Sequence, residues 1–214
     1  MKARFSVTKS TRSSIDMLTN LRRFVIMSGM DGRLEAVLDA AYACFVRHGL
    51  KRTTMDDIAH EVGLSRPTLY LSVRNKDEAF AMVARRLLDR AGAAAAEAAQ
   101  SQGELAQRVA GVLETKLRLA ITLNRDSPAH AQEFLSVGSR LLGMMVTDYE
   151  ASLAELVTDL LADQVPRVDA AETAAILVAL TFGLESDLTD PDIALDRLRR
   201  AVRLIIGGLM VSGR

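Results

Sequence analysis

From position 33 onward apolar residues recur every three or four positions, and no segment sustains the alternation of Val, Ile and Thr that a half-buried strand requires. The pattern predicts an all-α fold. Leu34, Val37, Leu38, Ala41, Phe45 and Val46 form one stripe of a first helix, which Gly49 stops. Thr54 is placed to cap a second helix with Asp57 reaching back, and Met55, Ile58, Ala59 and Val62 make its inner face before Gly63 ends it. Ser65 caps a short third helix over about 65–71. Pro67 is tolerated there because first-turn N–H groups lack an intrahelical acceptor, and Leu69 and Val73 are the apolar anchors. Asn75, with Glu78 three residues on, reads as a second capping box opening a fourth helix that buries Phe80, Val83, Leu87 and Leu88.

The stretch "AGAAAAEAAQSQGE", residues 91–104, shifts composition from helix-forming alanines to a polar break, closing helix four and marking a junction. Further helical segments follow at about 104–124, 128–163, 168–187 and 191–210, punctuated by Pro128, Pro166 and Pro191. The expected organisation is a basic, flexible extension over 1–32, a compact head over 33–80 and a helical body over 81–214.

Two short helices joined by a tight glycine turn, with Ala59 small enough to let them approach, make a helix-turn-helix. Its second helix turns Leu69 inward and leaves Arg66, Thr68, Leu71 and Ser72 outward, where side chains can meet base edges in a major groove. Tyr70 and Lys76 suit phosphates, the one through a phenolic donor and the other through an ammonium at a helix N-terminus. Thr54, at the start of helix two, is placed similarly. The same geometry also occurs inside helical proteins that never touch DNA, with the Tyr70 ring packed against the first helix; local pattern leaves both open.

Over Arg33 to Leu87, through "AAYACFVRHGLKRTTMDDIAHEVGLSRPTLYLSVRNKDEAF", the chain resembles the TetR family of bacterial transcriptional regulators. The succession of an apolar helix ending in Gly, then "TTMDDIA", "VGLS", "TLY" and "NKDE", is long and specific. The resemblance implies a three-helix DNA-binding head, a larger ligand-sensing body, homodimerisation through the last two long helices, and repression relieved by a small molecule. Matched by position, it places DNA contacts at Thr54, Arg66, Pro67, Thr68, Tyr70, Ser72 and Lys76. Leu71 and Ser72 stand where larger aromatic or histidine residues are frequent, and Asp56 where many members carry a basic or neutral residue, so the operator sequence is not transferable.

Charge sharpens this picture only locally. Lys plus Arg and Asp plus Glu balance at 27 each, but residues 1–30 carry six basic residues against Asp16 alone, and 33–90 hold ten Lys and Arg against eight Asp and Glu. DNA affinity must then come from where charges point. The extension reads either as an arm that follows phosphates or enters a minor groove, or as sequence upstream of a true start at Met27 or Met30. A single cysteine excludes an internal disulfide framework, and no run approaches the roughly 18 apolar residues of a membrane span; a cytoplasmic protein is expected.

Other chemistries find little footing. Cys44 with His48, and Asp56 with His60, each supply two potential metal ligands from one helix face, but no companion cluster completes a site. No G-x-S-x-G elbow and no phosphate-cradling G-x-x-x-x-G-K is present, so neither enzymatic activity nor a cofactor is expected.

In the body, "AAILVALTFGL" at 174–184 is apolar on nearly every side, so something must cover its second face. With "LRRAVRLIIGGLM" at 198–210 it predicts an intersubunit four-helix bundle involving Leu177, Leu180, Leu184, Leu198, Val202 and Ile205; a monomer with both helices in its core is the alternative. Leu113, Leu117, Phe134, Leu141, Met144, Met145 and Tyr149 are candidates to line a pocket for a lipophilic effector, though the same spacing suits plain core. The expected partners are thus double-stranded operator DNA, a small-molecule effector and a second copy of the chain, with no membrane. An architectural DNA binder on the same fold, lacking a ligand, is the competing function.

Overall fold

The computed structural model describes residues 32–129 and 140–212. Among them are eight helices and no strand: α1 over 32–48, α2 Met55–Val62, α3 Arg66–Tyr70, α4 Lys76–Gln100, α5 Leu105–Asp126, α6 Arg140–Leu161, α7 Arg167–Glu185 and α8 Pro191–Ser212. The basic extension and Phe134 lie outside the described residues. Residues 128 and 129, the start of the segment expected as helix over about 128–163, are not helical, and Ser127 before them ends α5.

Local chemistry explains the head. Thr54 and Asp57 form a reciprocal capping box: the Asp57 N–H donates to Thr54 Oγ1 at 3.2 Å, and the Thr54 N–H donates to Asp57 Oδ2 at 2.8 Å. Gly63 stops α2 at φ 70°, a left-handed conformation that favours glycine. Ser65 caps α3 by accepting from the Thr68 N–H, with Pro67 in the first turn. Asn75 caps α4 by accepting from the Glu78 N–H at 2.8 Å. The expected reciprocal bond is displaced by one residue, however, since the Glu78 carboxylate accepts from the backbone N–H of Arg74 and also pairs with its guanidinium. The Arg74 side chain competes for that carboxylate and draws it past the cap.

Packing divides into two apolar clusters. The first gathers Val37, Ala41, Cys44 and Phe45 of α1, Ile58 of α2, Leu69 of α3, Val73, and Phe80 and Val83 of α4, with Phe45 and Phe80 meeting edge to face at 5.5 Å between centroids. Leu123 of α5 and Leu142 of α6 complete it. The second unites α4 through α8, with Leu113, Leu117, Leu153, Leu161, Leu177 and Leu198 fully buried. The 25-residue α4 runs through both clusters and so carries the mechanical connection between them.

Candidate nucleic-acid interface

Leu69 fills the head core and thereby turns the opposite side of α3 to solvent. Arg66 and Pro67 are exposed, Thr68 and Ser72 are half-buried, and Leu71 is 79% exposed. Tyr70 is 42% exposed. Its hydroxyl accepts from Arg66 Nη2 at 3.5 Å, while Asp56 Oδ1 of α2 lies 2.9 Å from Arg66 Nε. The Tyr70 bond, and then the Asp56 charge, hold the guanidinium above its ordinary range. Asp56 is therefore engaged with Arg66 across the turn.

Thr54 is exposed at the start of α2 and Lys76 is half-buried at the start of α4. Lys76 Nζ donates to the Lys51 carbonyl at 3.2 Å, which draws the loop after α1 against the N-terminus of α4. An ammonium carries three donors, so one such bond leaves capacity for a phosphate. Thr68 Oγ1 lies 2.8 Å from Ser65 Oγ, within the α3 cap. Three ion pairs tie the helices of the head together: Arg47 of α1 with Glu61 of α2 at 2.9 Å, and Arg86 of α4 with Glu35 and with Asp39 of α1, each at 2.9 Å.

Elsewhere the candidate residues scatter. Met145 and Tyr149 line a cavity of about 330 Å³ between α4 and α6, together with Arg85, Leu88, Asp89, Gly92, Asp148 and Ser152. Leu113 and Leu117 are instead fully buried core, Met144 is 55% exposed, and the Leu141 side chain lies outside the described residues. Burial pushes the Tyr149 phenol up to about 12, and its hydroxyl lies 3.0 Å from Thr115 Oγ1.

Three of the six residues named for a subunit interface lie in the subunit's own core, a correction to the expected face. Leu177, Leu198 and Val202 are fully buried inside the subunit, where no partner can reach them, and Leu180, Leu184 and Ile205 sit at the margin of that core. The solvent-facing large apolar side chains of the same helices are Val168, Ile176 and Phe182 of α7 and Ile193, Leu204 and Val211 of α8. An α7 apolar on all sides gives no phase, and packing on α6 and α5 selected the Leu177 side as the inner one.

The body also holds a charge cluster that sequence reasoning missed. Lys116, 6% exposed, places Nζ 2.6 Å from Glu185, 3.4 Å from Glu150 and 4.0 Å above the Phe182 ring. Its only sequence signal is a lysine set among Leu113, Leu117 and Ala120 on a buried helix face. Cys44 is buried, and among the described residues no group of three or more His, Cys, Asp or Glu could hold a metal ion. No helix among them is long and apolar enough to cross a membrane.

A braced helix-turn-helix whose second helix faces solvent, carried on a larger helical body, defines the class: a DNA-binding transcriptional regulator. Residues 37–83 match the family model described as bacterial regulatory proteins, tetR family. Solved structures agree with the fold. A TetR-like transcriptional regulator from Rhodococcus sp. RHA1 is 28% identical with TM-score 0.59, the match covering 83% of this chain and 95% of that one. A transcriptional regulator from Cytophaga hutchinsonii is 18% identical with TM-score 0.69, covering 83% and 98%. A TetR/AcrR-family regulator from Thermobifida fusca is 19% identical with TM-score 0.65, covering 80% and 96%. No curated protein matches the chain.

Proposed function

We propose that this regulator is a homodimeric repressor that binds a palindromic operator through Thr54, Arg66, Pro67, Thr68, Tyr70, Ser72 and Lys76, and leaves it when a small molecule occupies the body. The observation that carries the DNA contact is the solvent-facing α3, with Arg66 and Tyr70 outward and Leu69 inward. Twofold pairing through Ile176, Phe182, Leu204 and Val211 would cover four of the apolar side chains that the subunit leaves exposed. Half-sites then lie about 34 Å apart or a multiple of that.

Release requires an effector that binds two conformations unequally. The cavity between α4 and α6 supports this reading because α4 leads directly to Lys76, so a ligand that moves α4 moves a phosphate contact. A second connection supports it independently: Tyr42 and Val46 of α1 are bonded to Asp126 and Ser127 at the end of α5. The test is binding of fluorescent duplexes from upstream of the protein's own gene, measured against salt. Specific binding with a steep salt dependence, flattened by about one unit of slope in Lys76→Ala, is the expected result. Equal affinity for scrambled duplexes would sink the proposal.

A further inference from the structure

Asp56 is the charge least suited to a DNA-facing surface, since an exposed carboxylate repels phosphates. Yet it is 62% exposed at the side chain and sits beside the outward Arg66, Oδ1 to Nε at 2.9 Å. Resting on the proposed operator binding, we propose that Asp56 is a specificity-determining positioning residue that aims Arg66 at one guanine in each half-site.

The argument follows from the shape of the guanidinium. It carries five donors in a planar fork and can address a guanine O6 and N7 either along its Nε side or through its two terminal nitrogens. A carboxylate against Nε closes the first approach, because guanine O6 and N7 are themselves acceptors and would crowd Oδ1. The Tyr70 hydroxyl, accepting from Nη2 at 3.5 Å, limits rotation from the other side. The terminal Nη1 and Nη2 edge is what remains for a base. Tyr70 follows Arg66 by one turn of α3, so its restraint is local to that helix, whereas Asp56 belongs to the first turn of α2 and its restraint is set by the glycine turn between the helices. A mobile arginine can settle on any nearby phosphate; one held at two points cannot do so without breaking both contacts. The negative charge adds a second filter by disfavouring phosphates and base acceptors beside the arginine.

The experiment uses the full-length protein and a pool of random-sequence duplexes, from which wild-type protein recovers its preferred sites. Affinities for the recovered site and its single-base variants are then measured for wild type, Asp56→Ala, Asp56→Asn and Arg66→Ala. Wild type is expected to prefer guanine at one position per half-site by roughly 5- to 150-fold, the range of a good bidentate contact. Asp56→Ala should bring that preference toward unity while raising affinity for unrelated duplexes. Asp56→Asn, which keeps an acceptor without the charge, should retain part of it. In an Arg66→Ala background, Asp56→Ala should change discrimination no further. A merely structural role for Asp56 predicts the opposite pattern, with specific and non-specific binding weakened together and no rescue by Asn, and that result overturns the inference. If wild type selects sites with no guanine preference, or if preference survives intact in Asp56→Ala, the inference falls while operator binding stands. If wild type selects no sequence at all, both fall.

Discussion

Tyr42, on the first helix of the head, donates a 2.8 Å hydrogen bond to Oδ2 of Asp126, the last residue of α5 in the body. Burial pushes the Tyr42 phenol well above its ordinary range, with the Asp126 bond next in size, so the hydroxyl stays a donor at every physiological pH. One residue on, Ser127 Oγ donates to the Val46 carbonyl at 2.8 Å. These bonds make the end of α5 a strut between the helical body and the helix-turn-helix head. Tyr42→Phe keeps the ring and removes the strut's charged bond, and it should lower stability by about 1.5 kcal/mol. Urea unfolding should show a lower midpoint at unchanged slope, and amide exchange should quicken in α1 more than in α8. An unchanged midpoint would show that the bond contributes nothing.

The capping box at α2 predicts a pH signature. Hydrogen bonds from Thr54 hold the Asp57 carboxyl below its usual range. A folded-state pKa below the unfolded value of about 3.9 means a contribution fully present above that pH and lost as pH falls through the folded value. Thr54→Val deletes the hydroxyl while keeping the shape, and should cost about 1 kcal/mol near neutrality. The gap between wild type and variant in thermal unfolding should narrow as pH falls below about 4, without closing, because the bond from the Asp57 N–H to Thr54 Oγ1 does not titrate. A deficit that keeps its size as pH falls would assign the lost stability to that N–H bond and to packing, with none from the carboxylate.

How far these features could be read in advance depends on their range along the chain. Thr54, Ser65 and Asn75 were legible as caps, and Gly49 and Gly63 as stops, because each acts on backbone within a few residues. The outward side of α3 followed from Leu69 alone. Glu78 was misjudged because the Arg74 side chain competed for it, a contest that a spacing rule cannot weigh. The phase of α7 was illegible because apolar residues surround it, so burial of Leu177 and exposure of Ile176 were decided by tertiary packing. The Lys116 cluster joins residues from three helices, and no local pattern announces it.

Gly63 tests whether the turn sets the head's geometry. It holds φ 70°, and an added Cβ would meet nothing within 4 Å, so any penalty of substitution comes from backbone conformation. Gly63→Ala should destabilise by about 1–2 kcal/mol, and Gly63→Asn by less, because asparagine tolerates the left-handed region better. Chemical denaturation of the three proteins gives the order directly. Equal losses for Ala and Asn would point to a steric cause in place of the conformational one.

The exposed apolar side chains of α7 and α8 make an oligomerisation prediction. A glutamate introduced at Ile176 or Leu204 faces solvent in the isolated subunit and so should leave its fold intact. Within a paired interface it would bury a charge beside its own symmetry mate, which strongly opposes association. Sedimentation velocity should show wild-type dimers and variant monomers with matching circular dichroism. Variants that remain dimeric would place the subunit interface elsewhere.

Lys116 is the ion whose removal the fold should tolerate least. Its ammonium, 7% exposed at the side chain, lies between Glu185 and Glu150, and Lys116→Met leaves both carboxylates without it. Breaking a buried pair in this way costs about 3–5 kcal/mol. The pH dependence identifies the cause. Burial already raises the Glu185 carboxyl above its usual range, although Lys116 opposes that shift, so removing the lysine raises it further. A raised folded-state pKa contributes stability that is full below the unfolded value of about 4.3 and is lost as pH rises through the folded one. The variant's deficit against wild type should therefore be small near pH 4 and widen toward pH 8, in urea titrations at each pH. Adding Glu185→Gln to Lys116→Met should restore part of the loss at pH 8 and flatten the pH dependence, because the group that was forced to ionise is gone. A deficit independent of pH, unrelieved by Glu185→Gln, would assign the loss to the lysine's aliphatic stem and its contact with Phe182.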